Sequence, residues 1–325
     1  MTRAQVLGAG VAGLCVATEL VARGCEVTVH DPAPRPGPHG CSWWAGGMLA
    51  PLCEGETAEE PVVRLGREAA DWWERQGVRV DRRGTLVVAL GRDRSELDRF
   101  ARRVPEHERL DPGGLATLEP DLAGRFDRAL HVPGEAHLDP RAALICLRDR
   151  LDRSGVTFAT EPGGSADFTF DCRGLSARDV LTNLRGVKGE MAVLRSTDIH
   201  LSRPVRLLHP RVPLYVVPRP DGLFMLGATQ IESDDRRRSV RSVLELLSAA
   251  YALHPVFGEA ELVEIGVDAR PAFPDNLPRI LRRGHTIHVN GLFRHGFLLA
   301  PALARMAAEA ALEDTQPELM HEDHG

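Results

Sequence analysis

The sequence has no apolar run of about 18 residues, so no membrane-crossing helix is expected. Its first ten residues, MTRAQVLGAG, carry one Arg, a very short apolar stretch and no small-residue cleavage site. That argues against a signal peptide and for a cytoplasmic protein. Of the six cysteines (Cys15, Cys25, Cys41, Cys53, Cys146 and Cys172), no two form a C-x-x-C pair. Reduced, mostly buried thiols are expected, and no metal site. There is no basic excess either: Lys plus Arg number 40 against 46 Asp plus Glu, a net charge of −6. This removes the electrostatic ground for a nucleic-acid or anionic-membrane partner. Internal repeats and low-complexity segments are also missing. Aromatic residues make up only 5%, with two tyrosines.

What is present is a globular composition. Of 325 residues, 43% are hydrophobic and 26% charged, which excludes a largely disordered chain. The length suggests about two domains. The chain opens with a short strand over 4–7, a glycine turn, a helix over 11–23 and a second strand over 26–31. Leu14, Ala17, Thr18 and Val21 recur at helical spacing, and Gly24 stands where a helix-ending glycine belongs. Val27 and Val29 alternate as the inward residues of a strand. This is a βαβ unit of Rossmann type.

The turn is Gly8-Ala9-Gly10-Val11-Ala12-Gly13, a G-x-G-x-x-G. Its glycines let the strand turn sharply, and N–H groups at the helix start can approach a pyrophosphate. Asp31 follows 18 residues after Gly13, at the end of the second strand, where a carboxylate can bind adenosine ribose hydroxyls. In that setting the turn predicts dinucleotide binding. It does not separate NAD from FAD.

Further along, 32–40 is a Pro- and Gly-dense loop, and 41–51 (CSWWAGGMLAP) is small, aromatic and irregular. Helices are expected over 59–76, 92–103, 141–153, 239–252 and 298–312. Strands are expected over 84–90, 131–139, 156–159, 167–172, 261–267 and 286–290, with a proline-broken β pattern over 189–226. Only seven residues separate the runs at 156–159 and 167–172, so any hairpin there is brief. Trp72 and Trp73 are expected to pack a helix on the core, and Asp234–Arg238 (DDRRR) to be a solvated loop. The tail 313–325 is polar and expected to fray; His321 and His324 within it make a poor metal pair. The expected fold is α/β, α+β overall. A Rossmann-type nucleotide-binding domain comes from 1–76, 136–184 and 268–325, and a discontinuous, antiparallel, β-rich substrate-binding domain from 77–135 and 185–267.

Four segments decide the dinucleotide. They are Cys41 to Pro51; Tyr215-Val-Val-Pro-Arg219 followed by Leu226-Gly-Ala-Thr229; Ala269-Arg270-Pro271 with Asp275, Leu277 and Pro278; and Gly291-Leu-Phe-Arg-His-Gly-Phe-Leu-Leu-Ala-Pro301. In order, they resemble four parts of the FAD-dependent D-amino-acid oxidase superfamily, and within it the glycine oxidases of thiamine biosynthesis. The first resembles the segment along the isoalloxazine ring. The second resembles the Y-[LIV]-[LIV]-P-[RK]…G-A-T strands, and the third the L-R-P…D-x-x-P segment. The last resembles G-x-[FY]-R-[NH]-G-[IF]-L-L-A-P. The chain departs from the pattern in places. Asp31 stands where Glu is commoner, and the stretch 160–167 is short. Cys172-Arg173-Gly174 stands where A-x-G is commoner, which leaves Gly174 as the anchor and Arg173 without a role.

The resemblance implies FAD, expected to be non-covalent because neither Cys41 nor Cys53 sits in a linkage motif. Gly8, Ala9, Gly10, Val11, Ala12, Gly13 and Asp31 would hold its pyrophosphate and ribose. Ser42, Trp43, Ala45, Gly46, Gly47 and Met48 would line the ring, with Gly174, Gly291, Arg294, His295, Gly296, Phe297 and Leu298 completing the cofactor site. It also implies oxidation of glycine to its imine, then glyoxylate and ammonia, with O2 reduced to H2O2 and a hand-off to thiazole synthase. Residue chemistry agrees. Arg270 offers a two-pronged fork for a carboxylate, and the Tyr215 hydroxyl can donate to it. Arg294 either meets substrate or orders its loop. The start of the last helix presents open N–H groups and a positive dipole end to a reduced ring. Three other readings stand beside this one: an oxidase or dehydrogenase for sarcosine or a small D-amino acid; a flavin-binding protein without amine oxidation; and an NAD-dependent dehydrogenase, which the flavin-edge segments disfavour.

Overall fold

The computed structural model describes residues 1–325 except 34, 162, 210–212 and 323–325. Two sheets carry the architecture. The first has seven strands in the order 320–322, 279–283, 286–290, 168–171, 3–7, 26–30, 157–159. Its centre is parallel: Val6 faces Val29 on one side and Phe170 on the other, and all three are buried. Near-continuous burial is what parallel strands covered on both faces require. The helices Val11–Ala22 and Gly296–Leu312 pack together as part of this core. Gly13 sets how closely the first helix approaches its strand, since a Cβ there would lie 1.8 Å from the Gly8 carbonyl oxygen. Ligands of such sheets bind beyond the carboxyl ends of the strands. Here those ends are Leu7, His30, Asp171 and Asn290.

Two expectations change in this sheet. The strands Thr157–Ala159 and Phe168–Asp171 form no hairpin. Each pairs in parallel with a different neighbour, and the strands 3–7 and 26–30 lie between them. Crossing three strand spacings is about 14 Å, well within the reach of the short connector. The tail is also more ordered than its polarity suggests. Met320–Glu322 adds a parallel edge strand to Arg279–Arg283, whereas His324 lies outside the described residues.

The expected helix over 59–76 is two helices, Glu60–Gly66 and Ala69–Arg75. Gly66 lies at the break, pressed so closely on Leu298 that a Cβ would come within 2.9 Å. The second piece carries Trp73, which answers a problem in the last helix. Pro301 has no N–H to donate to the Phe297 carbonyl four residues back. Trp73 Nε1 donates to that carbonyl instead, at 2.9 Å, and its ring stacks on Phe297 at 5.5 Å. The helix start that faces the site is therefore tied down from outside.

The second sheet runs 231–232, 185–195, 223–227, 214–218, 205–208, 85–89, 129–132, 108–110, and Glu261–Ala272 pairs along Arg185–Arg195. It is antiparallel except where 205–208 meets 85–89. Leu86, Val205, Val216 and Leu226 form its core with Leu246 and Ala250 of the helix Val240–Leu253. The strand Glu261–Ala272 runs five residues past the expected end at 267, and so carries Arg270 within a regular ladder. Gly189 lies opposite Asp268 in that ladder, and Val187 opposite Arg270. No helix among the described residues is long and apolar enough to cross a membrane.

Candidate active site

A cavity of about 590 Å³ runs from the carboxyl ends of the first sheet to Tyr215 and Arg270 on the second. All but four of the residues singled out in the sequence line it; the exceptions are Ala9, Gly13, Trp43 and Gly291. Ala9 and Gly13 shape the turn from behind. Gly291 packs under Phe273, and a Cβ there would lie 2.2 Å from that ring. Trp44 lines the cavity in place of Trp43, because Gly266 leaves room for its ring. Trp43 packs on the nucleotide-sheet core with the Arg141 guanidinium 4.9 Å from its ring centre.

At the first-sheet end the glycine turn is already partly engaged. Ala9 N–H donates to Asp31 Oδ2 at 2.7 Å, and Val11 N–H to Ser42 Oγ at 3.2 Å. Among the described residues the N–H groups of Gly10, Ala12 and Gly13 have no acceptor. These open donors at a helix start, with only small side chains around them, fit a diphosphate. Asp31 also accepts from Ala33 N–H at 2.9 Å, so it braces the turn while facing the cavity.

Arg173 acquires a role here. Its guanidinium grips Asp171 with two bonds, at 3.0 and 2.7 Å, and reaches Asp179 as well. Burial opposes charge on Asp171, but bonds from His288 and Arg173 outweigh it and hold the carboxyl down at about 2. This clamp fixes the chain as it turns from strand 168–171 into Gly174. Asn290 Nδ2 then donates to the Gly174 carbonyl at 2.9 Å, which ties two strand ends together.

In the middle, the segment after Ser42 is held from both sides. Gly47 accepts a bond from Leu138 N–H at 2.9 Å, and Arg219 Nη2 donates to the Gly46 carbonyl at 2.6 Å. Opposite lies the start of the helix Gly296–Leu312, whose first three N–H groups have no backbone acceptor among the described residues. Beneath it a charged cluster collects Glu54, Arg294 and His295. Glu54 Oε2 sits 2.7 Å from Arg294 Nη2 and 2.9 Å from His295 Nε2. Burial alone would raise the Glu54 carboxyl; Arg294 and His295 outweigh it and hold the group well below the usual range. Arg294 is thus matched by a carboxylate of the protein.

At the second-sheet end Tyr215 and Arg270 face the cavity. Tyr215 lies flat over two glycines: a Cβ at Gly227 would fall 2.5 Å from its hydroxyl, and one at Gly46 would fall 2.8 Å from its ring. Burial pushes the phenol up, so it keeps its proton and stays a donor. Arg270 is half-buried and donates to the Thr229 carbonyl at 3.1 Å. No carboxylate pairs with it among the described residues. Glu54, Arg206, Arg236 and Asp268 also line this end, and sequence reasoning did not single them out. No local pattern marks Glu54, Arg206 or Asp268, and Arg236 sits inside the charged run Asp234–Arg238, which reads as surface and not as a site.

A family model described as FAD dependent oxidoreductase matches residues 3–310. A Rhizobium etli protein named as a thiamine biosynthesis oxidoreductase, ThiO, is 55% identical over 323 residues, covering 97% of this chain and 98% of that protein. Glycine oxidase of Geobacillus kaustophilus is 28% identical over 355 residues, covering 94% of this chain and 91% of its own. A crystal structure of glycine oxidase from the same species has the same fold, with a TM-score of 0.81 at 23% identity and coverage of 98% and 97%. The bifunctional protein ThiO/ThiG of a Synechocystis strain is 26% identical over 97% of this chain and 52% of its own. The cavity's open phosphate donors and its uncompensated guanidinium belong together on this evidence: the chain is a member of the FAD dependent oxidoreductase family, of the ThiO and glycine oxidase type.

Proposed function

We propose that this enzyme oxidises glycine to its imine, which becomes glyoxylate and ammonia, with O2 reduced to H2O2. One observation carries the reading: Arg270 faces the cavity as a guanidinium that no carboxylate among the described residues pairs with. A partly desolvated cation without a partner is costly, and a substrate carboxylate removes that cost. Tyr215, protonated beside it, donates a further hydrogen bond to the same group.

FAD, when bound, accepts the hydride from the substrate carbon and returns the electrons to dioxygen. The remaining work falls to the chain. The N–H groups of Gly10, Ala12 and Gly13 hold the diphosphate, and Ser42 to Met48 line the ring. Arg270 and Tyr215 fix the carboxylate and so orient the carbon–hydrogen bond to be broken. The amine reacts in its neutral form, reached by loss of its ammonium proton, and its lone pair drives imine formation, so no side-chain base is required to remove the hydrogen on carbon. The open N–H groups at Gly296–Leu298 favour negative charge where electrons arrive. Arg294, tied to Glu54, orders its loop instead of meeting substrate.

The division proposed is a cofactor domain from 1–76, 136–184 and 268–325 with a substrate domain from 77–135 and 185–267. The Synechocystis protein that joins ThiO to ThiG supports a hand-off of the imine to thiazole synthesis, as does the thiamine role in the name of the R. etli relative. A cytoplasmic location goes with that role. The test is direct. Purified protein should be yellow, bleach when glycine is added without oxygen, and release peroxide when air is admitted. A yellow protein that glycine leaves unbleached sinks the glycine assignment, and sarcosine and D-alanine are then tried in turn.

A further inference from the structure

We infer that Asp268 is a specificity-determining residue of this site, receiving the substrate's amine while Arg270 holds its carboxylate. The inference rests on the amine-oxidase reading and deepens it, because it makes the cavity a receptor for a zwitterion and not for any small acid.

Asp268 and Arg270 are two apart on the strand Glu261–Ala272, so their side chains leave the same face, and both line the cavity. The Arg270 guanidinium folds back along the sheet over Gly189, where a Cβ would lie 2.1 Å from Nη2. Gly189 is the residue directly opposite Asp268 in the ladder. Directly opposed residues stand about 5 Å apart. The cation and the carboxylate are therefore neighbours on one wall. Even so, they form no salt bridge: Asp268 pairs with Arg236, and among the described residues Arg270 bonds only to the Thr229 carbonyl. Opposite charges that adjoin without closing on each other leave a gap with a positive and a negative rim. An α-amino acid presents its carboxylate and its amine one carbon apart, which suits such a gap.

The other charges of this cavity are committed elsewhere. Glu54 is held by Arg294 and His295, and Arg206 by Glu56 at 3.1 Å. Asp268 differs. It is only 4% exposed, and one oxygen, Oδ1, takes both of its contacts: Ala269 N–H at 2.8 Å and Arg236 Nε at 2.9 Å. Oδ2 accepts no hydrogen bond among the described residues. Burial pushes this carboxyl up, and the Ala269 N–H together with Arg236, itself 63% exposed, offset that only in part. A buried carboxylate with a spare oxygen gains from a second cation, and the substrate's ammonium is one.

The experiment separates the amine from the acid. Holoenzyme reduced with dithionite under nitrogen cannot turn over, so glycine and acetate can each be titrated by calorimetry. Acetate is glycine without its nitrogen. Wild type is expected to bind glycine at least tenfold more tightly than acetate. Asp268→Asn should weaken glycine about tenfold and leave acetate within twofold. Asp268→Ser serves if the amide variant does not fold, with flavin absorbance and Tm as the check. Arg236→Ala removes the loop contact but keeps the carboxylate, and should preserve the preference for glycine. The inference is overturned if wild type shows no preference, if the Asp268 variants change both ligands alike or neither, or if Arg236→Ala reproduces their effect. Failure of the amine-oxidase reading shows separately, as an oxidised flavin that no amine bleaches.

Discussion

Gly189→Ala tests the placement of Arg270 without touching Arg270. The backbone at 189 lies in an extended strand without positive φ, so alanine strains nothing locally. The added methyl would stand 2.1 Å from Nη2, 2.3 Å from Cζ and 2.6 Å from Nη1. Ordinary contact begins at 3.4 Å, so the guanidinium must retreat by roughly 1 Å, enough to break a bidentate fit. Hydrogen bonds to a charged group are worth about 1.5–3 kcal/mol each, and about 1.4 kcal/mol is a factor of ten. Losing one of the two should raise KM for glycine about 10- to 100-fold. The cofactor end is untouched, so kcat at saturation should fall only a few-fold. Steady-state peroxide assays give the split, with flavin content and Tm as controls. Acetate binding should weaken in parallel, unlike in the Asp268 variants. An unchanged KM in a folded, yellow protein would refute the reasoning, because it would mean that Arg270 is not held where it meets the carboxylate.

Trp73→Phe keeps an aromatic ring but leaves the buried Phe297 carbonyl without its donor. It should cost about 1–3 kcal/mol and a few degrees of Tm. Adding Pro301→Ala, which restores a helical N–H to that carbonyl, should recover part of the loss; an unshifted Tm in the single variant contradicts the bond. His137→Gln probes acid stability. Burial, and then Arg219, push the His137 imidazole down from 6.5 to about 4. The unfolded chain takes up the proton at about 6.5 and the folded one resists until about 4. The stabilisation is therefore present above 6.5 and lost as pH falls through 4, and is worth about 3 kcal/mol. In urea unfolding between pH 7 and 4 the variant should lose less stability than wild type; equal slopes would show that another group governs the acid limb.

The nucleotide end of this site is legible in the sequence because it is local. Gly8 to Gly13 and Asp31 lie within one βαβ unit, and hydrophobic period and turn chemistry place them before any tertiary contact is known. The recognition end is not local. Arg270 was found through its R-P setting, but Asp268 two residues earlier carries no pattern, and its meaning depends on Gly189 across the ladder. The segment Asp234–Arg238 is the solvated loop its charges predict, with Asp234, Arg236, Arg237 and Arg238 exposed. What its charges do not reveal is that it is also tied down: Asp234 to Arg178, Arg236 to the buried Asp268, and Arg238 to the Ile265 carbonyl at 2.7 Å, with Lys188 donating to the Arg237 carbonyl. Composition cannot separate a charge that meets water from one that meets a buried partner. The edge strand 320–322 was hidden for a related reason, since its polar residues show no alternation and its pairing partner lies some forty positions away.

The recognition end owes its shape to side chains that are absent. Arg270 lies over Gly189, Tyr215 over Gly227 and Gly46, and Trp44 over Gly266. In each case a Cβ on the glycine would fall at 2.8 Å or less from the group it carries. A side chain that lies flat on a sheet loses rotamer freedom before any ligand arrives, so less entropy remains to be lost on binding. It also stands less far into the cavity and leaves its hydrogen-bonding edge toward the middle. For the proposed substrate, glycine, which offers few atoms for contact, such pre-positioning is a source of affinity that needs no further contact. Alanine at any of these glycines should therefore act on substrate binding before it acts on stability. Their effects should rank by the rigidity of the displaced group: the Trp44 and Tyr215 rings cannot bend away, whereas the Arg270 stem can.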